Sequence, residues 1–202
     1  KTSAYIASEY EADYNVFSLV RINDNKSKFP DRKIAKLIED RIQAPFIATA
    51  EDDMIIYTIL DLEQHIGKKI HWVTGKTFDD VLDTAGTLPD PLRRFCTTQM
   101  KLEPIFNWWR ETINIPCEFR LGFRANEQRR AKRTLEKTNN NGFLEMKAIV
   151  GKRKTQNKWD MIEWQKPVFP LIKDNIYKDN IEEYWKGKPV RFAWMNNCVG
   201  CF

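Results

Sequence analysis

The chain reads as an α/β protein with a mainly parallel sheet, and three observations lead there. Strand-length runs rich in Val, Ile, Phe and Trp alternate with stretches of helical periodicity along the whole chain. Alternation of that kind is how βαβ units are written, and their strands pair in parallel. Next, 202 residues at 42% hydrophobic content, with twelve Phe and seven Trp, can bury one substantial core. Finally, no apolar run approaches the roughly 20 residues needed to span a bilayer, and no signal peptide, internal repeat or low-complexity linker breaks the pattern. The expectation is one domain over residues 1–202, soluble and cytoplasmic, with no membrane partner.

In chain order, KTSAYIASEY (1–10) is an amphipathic helix with Tyr5 and Ile6 on its apolar side. Asn15 to Ile22 is a strand, and Asn23 to Pro30 a polar loop. Asp31 caps a helix from Arg32 to Ile42, because its side chain can accept from the open amides of the first turn. A short extended piece covers Phe46 to Ala50, and Asp52 to Gln64 is a helix with Ile55, Ile59 and Leu62 near helical spacing. Lys69 to Thr74 is a strand ending at Gly75, and Thr77 caps a short helix, FDDVLD. The prolines of Leu88-Pro89-Asp90-Pro91 make a turn. Pro104 opens a helix to Thr112 with Ile105, Phe106 and Trp109 inward. A strand from Cys117 to Phe123 precedes a basic helix from Ala125 to Lys137. Glu145–Val150 and Trp159–Trp164 read as strands flanking a basic turn, GKRKTQNK, and a last helix covers Lys178 to Trp185.

Charge and cysteines point to chemistry. A net charge of +5 and a pI near 9.0 favour an anionic partner such as a nucleotide, phosphate or nucleic acid. Four cysteines include the pair Cys198-Val199-Gly200-Cys201, at metal-ligand spacing; without secretion signals this speaks for metal or redox use over disulfides. A disulfide within that pair remains an alternative. Cys96 stands in RRFCTTQMKLEP, between Arg93, Arg94 and Lys101. Fixed cations favour the thiolate and hence metal or sulfur chemistry. The alternative is a small buried hydrophobe, as cysteines often are. His71 alternates with Ile70 and Trp72 in a strand and His65 ends a helix, so both read as ordinary. Cys117, at a strand start, reads as structural.

Taken together, KTSAYIA, RFCTTQMKLEP, LGFRANEQRRA, PVFPLI and NNCVGCF resemble the phosphoadenosine phosphosulfate reductase family, in the right order over nearly the whole chain. That family belongs to the PP-loop ATP pyrophosphatases, and the resemblance implies a Rossmann-like adenine nucleotide alpha hydrolase fold with a helical C-terminal part. The PP-loop is Ser-Gly-Gly-x-x-Ser after the first strand. Lys1, Thr2 and Ser3 look like its last three residues, so the sequence is expected to start inside the motif and to be trimmed just after Phe202. On its own KTS is no more than a helix start; the downstream matches give it meaning. In such a loop, backbone amides and the following helix N-terminus cradle phosphate.

The resemblance also implies roles further along. The pattern Gly-x-Arg-x-x-Glu-Ser-x-Arg, which binds phosphate or sulfate groups of the nucleotide, matches at Gly122, Arg124, Glu127 and Arg130, with Gln128 in place of Ser. Glu127 either holds an arginine in place or accepts from a ribose hydroxyl. Arg129, Lys132 and Arg133 read as a solvated face. Family members of the adenylylsulfate type bind a [4Fe-4S] cluster through Cys-Cys and a later CxxC. Here Phe95-Cys96 replaces the first pair, leaving Cys96, Cys198 and Cys201 as ligands of a cluster or, with a fourth ligand, of Zn²⁺. The family's C-terminal Glu-Cys-Gly-Leu-His is not visible. The function implied is an enzyme that binds ATP with Mg²⁺, or phosphoadenosine phosphosulfate, for sulfur transfer or substrate adenylylation. Nucleic acid is a candidate acceptor, and a protein a candidate sulfur donor. The alternatives are a sulfonucleotide reductase, or a non-enzymatic nucleotide- or nucleic-acid-binding module with structural zinc.

Overall fold

The computed structural model describes residues 1–90 and 92–194, in a mixture of helices and strands. The helices are α1 (Thr2–Glu9), α2 (Arg32–Ile42), α3 (Met54–Ile66), α4 (Phe78–Ala85), α5 (Phe95–Thr97), α6 (Glu103–Thr112), α7 (Gln128–Leu135), α8 (Pro170–Lys173) and α9 (Lys178–Trp185). The strands are β1 (Asn15–Leu19), β2 (Arg21–Ile22), β3 (Ala48–Thr49), β4 (Ile70–Thr74), β5 (Cys117–Arg120), β6 (Leu144–Arg153) and β7 (Gln156–Val168). They form two compact units.

One unit is Ala12–Trp109 with the described residues from Pro189 onward. Its parallel pair, β1 with β4, runs in register from Asn15↔Ile70 to Leu19↔Thr74. The single strand expected over Asn15–Ile22 breaks at Val20. The Val20 carbonyl accepts from the Ala50 amide at 3.0 Å and from Thr49 Oγ1 at 2.9 Å, so the chain leaves β4 and pairs antiparallel with β3. Asp31 caps α2 by accepting from the amides of Lys33 and Ile34, at 2.9 and 3.1 Å. Thr77 and Asp80 form a reciprocal capping box at the start of α4. Leu19, Val20, Ile38, Ile56, Leu62, Val81, Phe106 and Trp109 make the core, where Trp109 is 1% exposed.

Between α5 and α6 the helix widens into a π-turn, Thr98–Leu102. Ser18 Oγ donates to the Met100 carbonyl at 2.9 Å and ties the turn to β1. Gly75, just past β4, lies against it. A Cβ there would come within 2.7 Å of the Gln99 carbonyl oxygen and 2.8 Å of Pro104 Cγ. Because one obstacle is backbone, it cannot rotate aside. Gly75→Ala is expected to cost about 1–3 kcal/mol, as overpacking does. A urea midpoint equal to that of the parent, at unchanged slope, would contradict this.

The other unit is Lys1–Glu11 with Arg110–Lys188. Its sheet has the order β5-β7-β6, with β5 parallel and β6 antiparallel to β7. The basic turn expected over residues 151–158 is instead mostly strand. Gly151, Lys152 and Arg153 pair with Lys158, Asn157 and Gln156, leaving Lys154-Thr155 as the turn, with Lys154 at φ 56°. Charged side chains are compatible with a ribbon whose two faces both meet water, and there the hydrophobic alternation that marks a half-buried strand disappears. α9 packs on α1: the rings of Tyr5 and Tyr184 meet edge to face at 4.8 Å, and Trp185 Nε1 donates to the Lys1 carbonyl at 3.3 Å.

Candidate functional site

Within the Lys1–Glu11 and Arg110–Lys188 unit, the residues expected to bind nucleotide come together. β5 ends at Arg120, and the Leu121 amide still donates to the Val168 carbonyl of β7 at 2.9 Å. Gly122 follows, just beyond the C-terminal end of that parallel strand. There it meets the start of α1: a Cβ on Gly122 would lie 3.3 Å from Thr2 Cγ2 and 3.4 Å from Ser3 Oγ. The missing side chain thus lets the loop approach the first turn of a helix whose N-cap, Lys1, supplies no side-chain acceptor. Ser3 and Lys1 are exposed and Thr2 half-buried. Open amides, a hydroxyl and a positive helix end at the carboxyl edge of a parallel pair form a geometry suited to an anion.

The arginines are organised by one carboxylate. Glu127 accepts from the Arg124 amide at 3.0 Å, from Arg124 Nε at 2.9 Å and from Arg130 Nη1 at 3.1 Å. It holds arginines in place, the first of the two roles expected for it. Burial pushes its carboxyl up, but the hydrogen bonds from Arg124 and Arg130 outweigh that and hold it below the usual range. Among the described residues, the terminal nitrogens of Arg124 carry no hydrogen bond, so its fork is open to a ligand. Arg130 also lies over the Phe123 ring at 4.3 Å, and Phe123 stacks on Phe169 at 5.4 Å. This aromatic support was not anticipated, although Phe123 sits inside the motif itself. Arg129, Lys132 and Arg133 are exposed along α7, the solvated face expected.

The thiols are less complete. Cys198 and Cys201 lie outside the described residues. Cys96, in the other unit, is half-buried and packs against the cluster of Val20, Val81 and Met100. Two of the cations expected to surround it have carboxylate partners: Arg93 Nε meets Asp90 at 2.8 Å and Lys101 Nζ meets Glu51 at 2.6 Å. Cys117 is half-buried at the start of β5. Among the described residues no three His, Cys, Asp or Glu side chains gather as metal ligands.

Sequence reasoning also passed over a cavity of about 520 Å³ in the Ala12–Trp109 unit, lined by Asp40, Arg41, Glu63, Lys69, His71 and Trp108 among others. His71 touches the rings of Tyr14 and Trp108, and burial, then Lys69, lowers its pKa from the ordinary value. No helix among the described residues is long and apolar enough to cross a membrane. No protein-family model, curated protein or solved structure matches this chain.

Proposed function

We propose that the chain is a PP-loop enzyme of Rossmann-like adenine nucleotide alpha hydrolase type, which binds ATP or a sulfated adenine nucleotide for substrate adenylylation or sulfur transfer. The observation that carries this reading is the contact of Gly122 with Thr2 and Ser3. Two motifs more than a hundred residues apart, each expected to bind phosphate, share one anion-suited corner beside the open fork of Arg124. The first-turn amides of α1, the Ser3 hydroxyl and Arg124 hold the phosphates, and Lys1 adds charge. Glu127 keeps Arg124 and Arg130 oriented. Mg²⁺ would neutralise phosphate charge when bound. An acceptor oxygen attacks the α-phosphorus and pyrophosphate leaves; a sulfur nucleophile then displaces the activated oxygen, and AMP leaves with it. Nucleic acid is the acceptor class that the basic charge favours, with sulfur supplied by a donor protein.

A [4Fe-4S] cluster, or zinc with a fourth ligand, would be held by Cys96, Cys198 and Cys201. The half-buried, apolar setting of Cys96 fits a ligand shielded from water. A cluster there would supply electrons or bind sulfur. The same packing favours a second reading, in which the cysteines are structural and the chain is a binding module.

The test is calorimetry with Mg-ATP and with phosphoadenosine phosphosulfate, alongside iron, zinc and sulfide analysis of anaerobically purified protein. Binding of ATP at one site per chain by a brown, iron-loaded protein is expected. Preference for the sulfated nucleotide would redirect the reading to a sulfonucleotide reductase. A colourless zinc protein would favour the module, and no binding of either nucleotide would overturn the assignment.

A further inference from the structure

The longest feature of the sheet has no part in the nucleotide corner. β7 runs its 13 residues from the ribbon tip to Val168, roughly 40 Å at about 3.3 Å per residue, so the tip lies far along the strand from Gly122. From Ile149 to Met161 every residue is exposed, on both faces. Residues 147–161 hold five basic side chains (Lys147, Lys152, Arg153, Lys154, Lys158) against one acidic, Asp160, a net +4 of the whole chain's +5. None of the five is in an ion pair among the described residues, whereas Arg41, Lys101, Arg124 and Arg191 elsewhere all are. Large apolar side chains are exposed on the same ribbon: Trp159 at 53%, Met161 at 52%, Ile149 at 38%. Ile149 pairs across from Trp159 and Lys147 from Met161, so these four share one face, and Lys147 Nζ lies 5.8 Å from the Trp159 ring centroid.

Concentrated positive charge beside exposed aromatic and apolar surface has one macromolecular complement that satisfies both. Phosphates take the cations, and sugars, thymine methyls and base edges take the apolar face. We propose that the β6–β7 ribbon is a duplex-DNA docking arm that enters the major groove. A two-stranded ribbon fits that groove, about 12 Å wide and 8.5 Å deep, whereas the deep, narrow major groove of duplex RNA does not admit one. The tip carries residue types that read base edges there: Arg153 and Lys158 suit guanine, Gln156 and Asn157 suit adenine. A second copy of the chain pairing along the ribbon would use the apolar face but would bring like charges together. The proposal goes beyond the nucleotide reading and stands on the ribbon alone.

The experiment compares the parent chain with a variant carrying Lys152→Gln, Arg153→Gln, Lys154→Gln and Lys158→Gln, all exposed positions at or beside the tip. Fluorescence anisotropy with a labelled 20-base-pair DNA duplex is measured across a salt series. The parent is expected to bind, and the variant at least tenfold more weakly. The slope of log K against log salt should shrink by about 3–4, near 0.9 for each lost phosphate contact. Trp159→Ala should weaken binding with little change in slope. Mg-ATP calorimetry on the same variants should be unaltered, which separates this proposal from the nucleotide reading. Three results would overturn it: an unchanged slope in the quadruple variant, equal affinity for duplex RNA, or a parent chain that self-associates in sedimentation through Trp159 and binds no DNA.

Discussion

Arg124→Ala is expected to weaken nucleotide binding by about ten- to a hundredfold, while Arg133→Ala changes it by less than about fivefold. The asymmetry comes from what each guanidinium does before a ligand arrives. Arg124 is anchored through its backbone amide and Nε on Glu127, which orients the remaining nitrogens as a parallel fork beside Ser3's loop. Arg133 is exposed on α7 and keeps its hydration. A charge-assisted contact to phosphate is worth about 1.5–3 kcal/mol, a solvated charge less than about 1, and each 1.4 kcal/mol is about a factor of ten. Arg124→Lys should fall between, because it keeps the charge and loses the fork. Glu127 sets the pH window. Its folded carboxyl lies below the unfolded value, so the stability it contributes is present above the unfolded value and lost as pH falls through the folded one. Calorimetry at pH 7 and fixed salt therefore reads the ionised network. Equal dissociation constants for Arg124→Ala and Arg133→Ala would remove Arg124 from the site.

The parts of this fold that could be read from sequence are those whose cause is local. Asp31 and Thr77 announce helix starts because a cap needs only a short acceptor and two or three amides beyond it. The break at Val20 could not be read, since its cause is a pair of donors, Thr49 and Ala50, some thirty residues away. The ribbon was hidden for a different reason: with water on both faces, β6 and β7 need no alternation, and Gly151 to Lys158 carry the polar composition of a loop. The nearness of Ser3 to Gly122 followed from neither periodicity nor spacing, only from the likeness of the two motifs to those of one family. Phe123 and Phe169, which back Arg130, needed the fold to be seen together.

Lys101→Ala is expected to destabilise the fold by about 3 kcal/mol, because of what it leaves behind. Glu51 has 5% of its side chain exposed and meets Lys101 Nζ at 2.6 Å. Removing the ammonium strands a carboxylate where water barely reaches, and breaking a buried pair in this way costs about 3–5 kcal/mol. Lys101 itself is 37% exposed, so some water can follow the truncation, which places the loss at the low end. Removing both charges should cost less than removing one. Lys101→Met combined with Glu51→Gln keeps the volume and strands no charge, and it should recover at least half of the loss seen in Lys101→Ala. Urea melts of the parent, the two single variants and the double at pH 7 complete a mutant cycle in which the coupling is read directly. A cycle with no coupling would mean that the pair contributes nothing and that the Lys101 charge is available to the cysteine stretch after all. Strong coupling means instead that this lysine neutralises Glu51, leaving Cys96 on its apolar cluster with less positive charge around it than RRFCTTQMKLEP implies on paper.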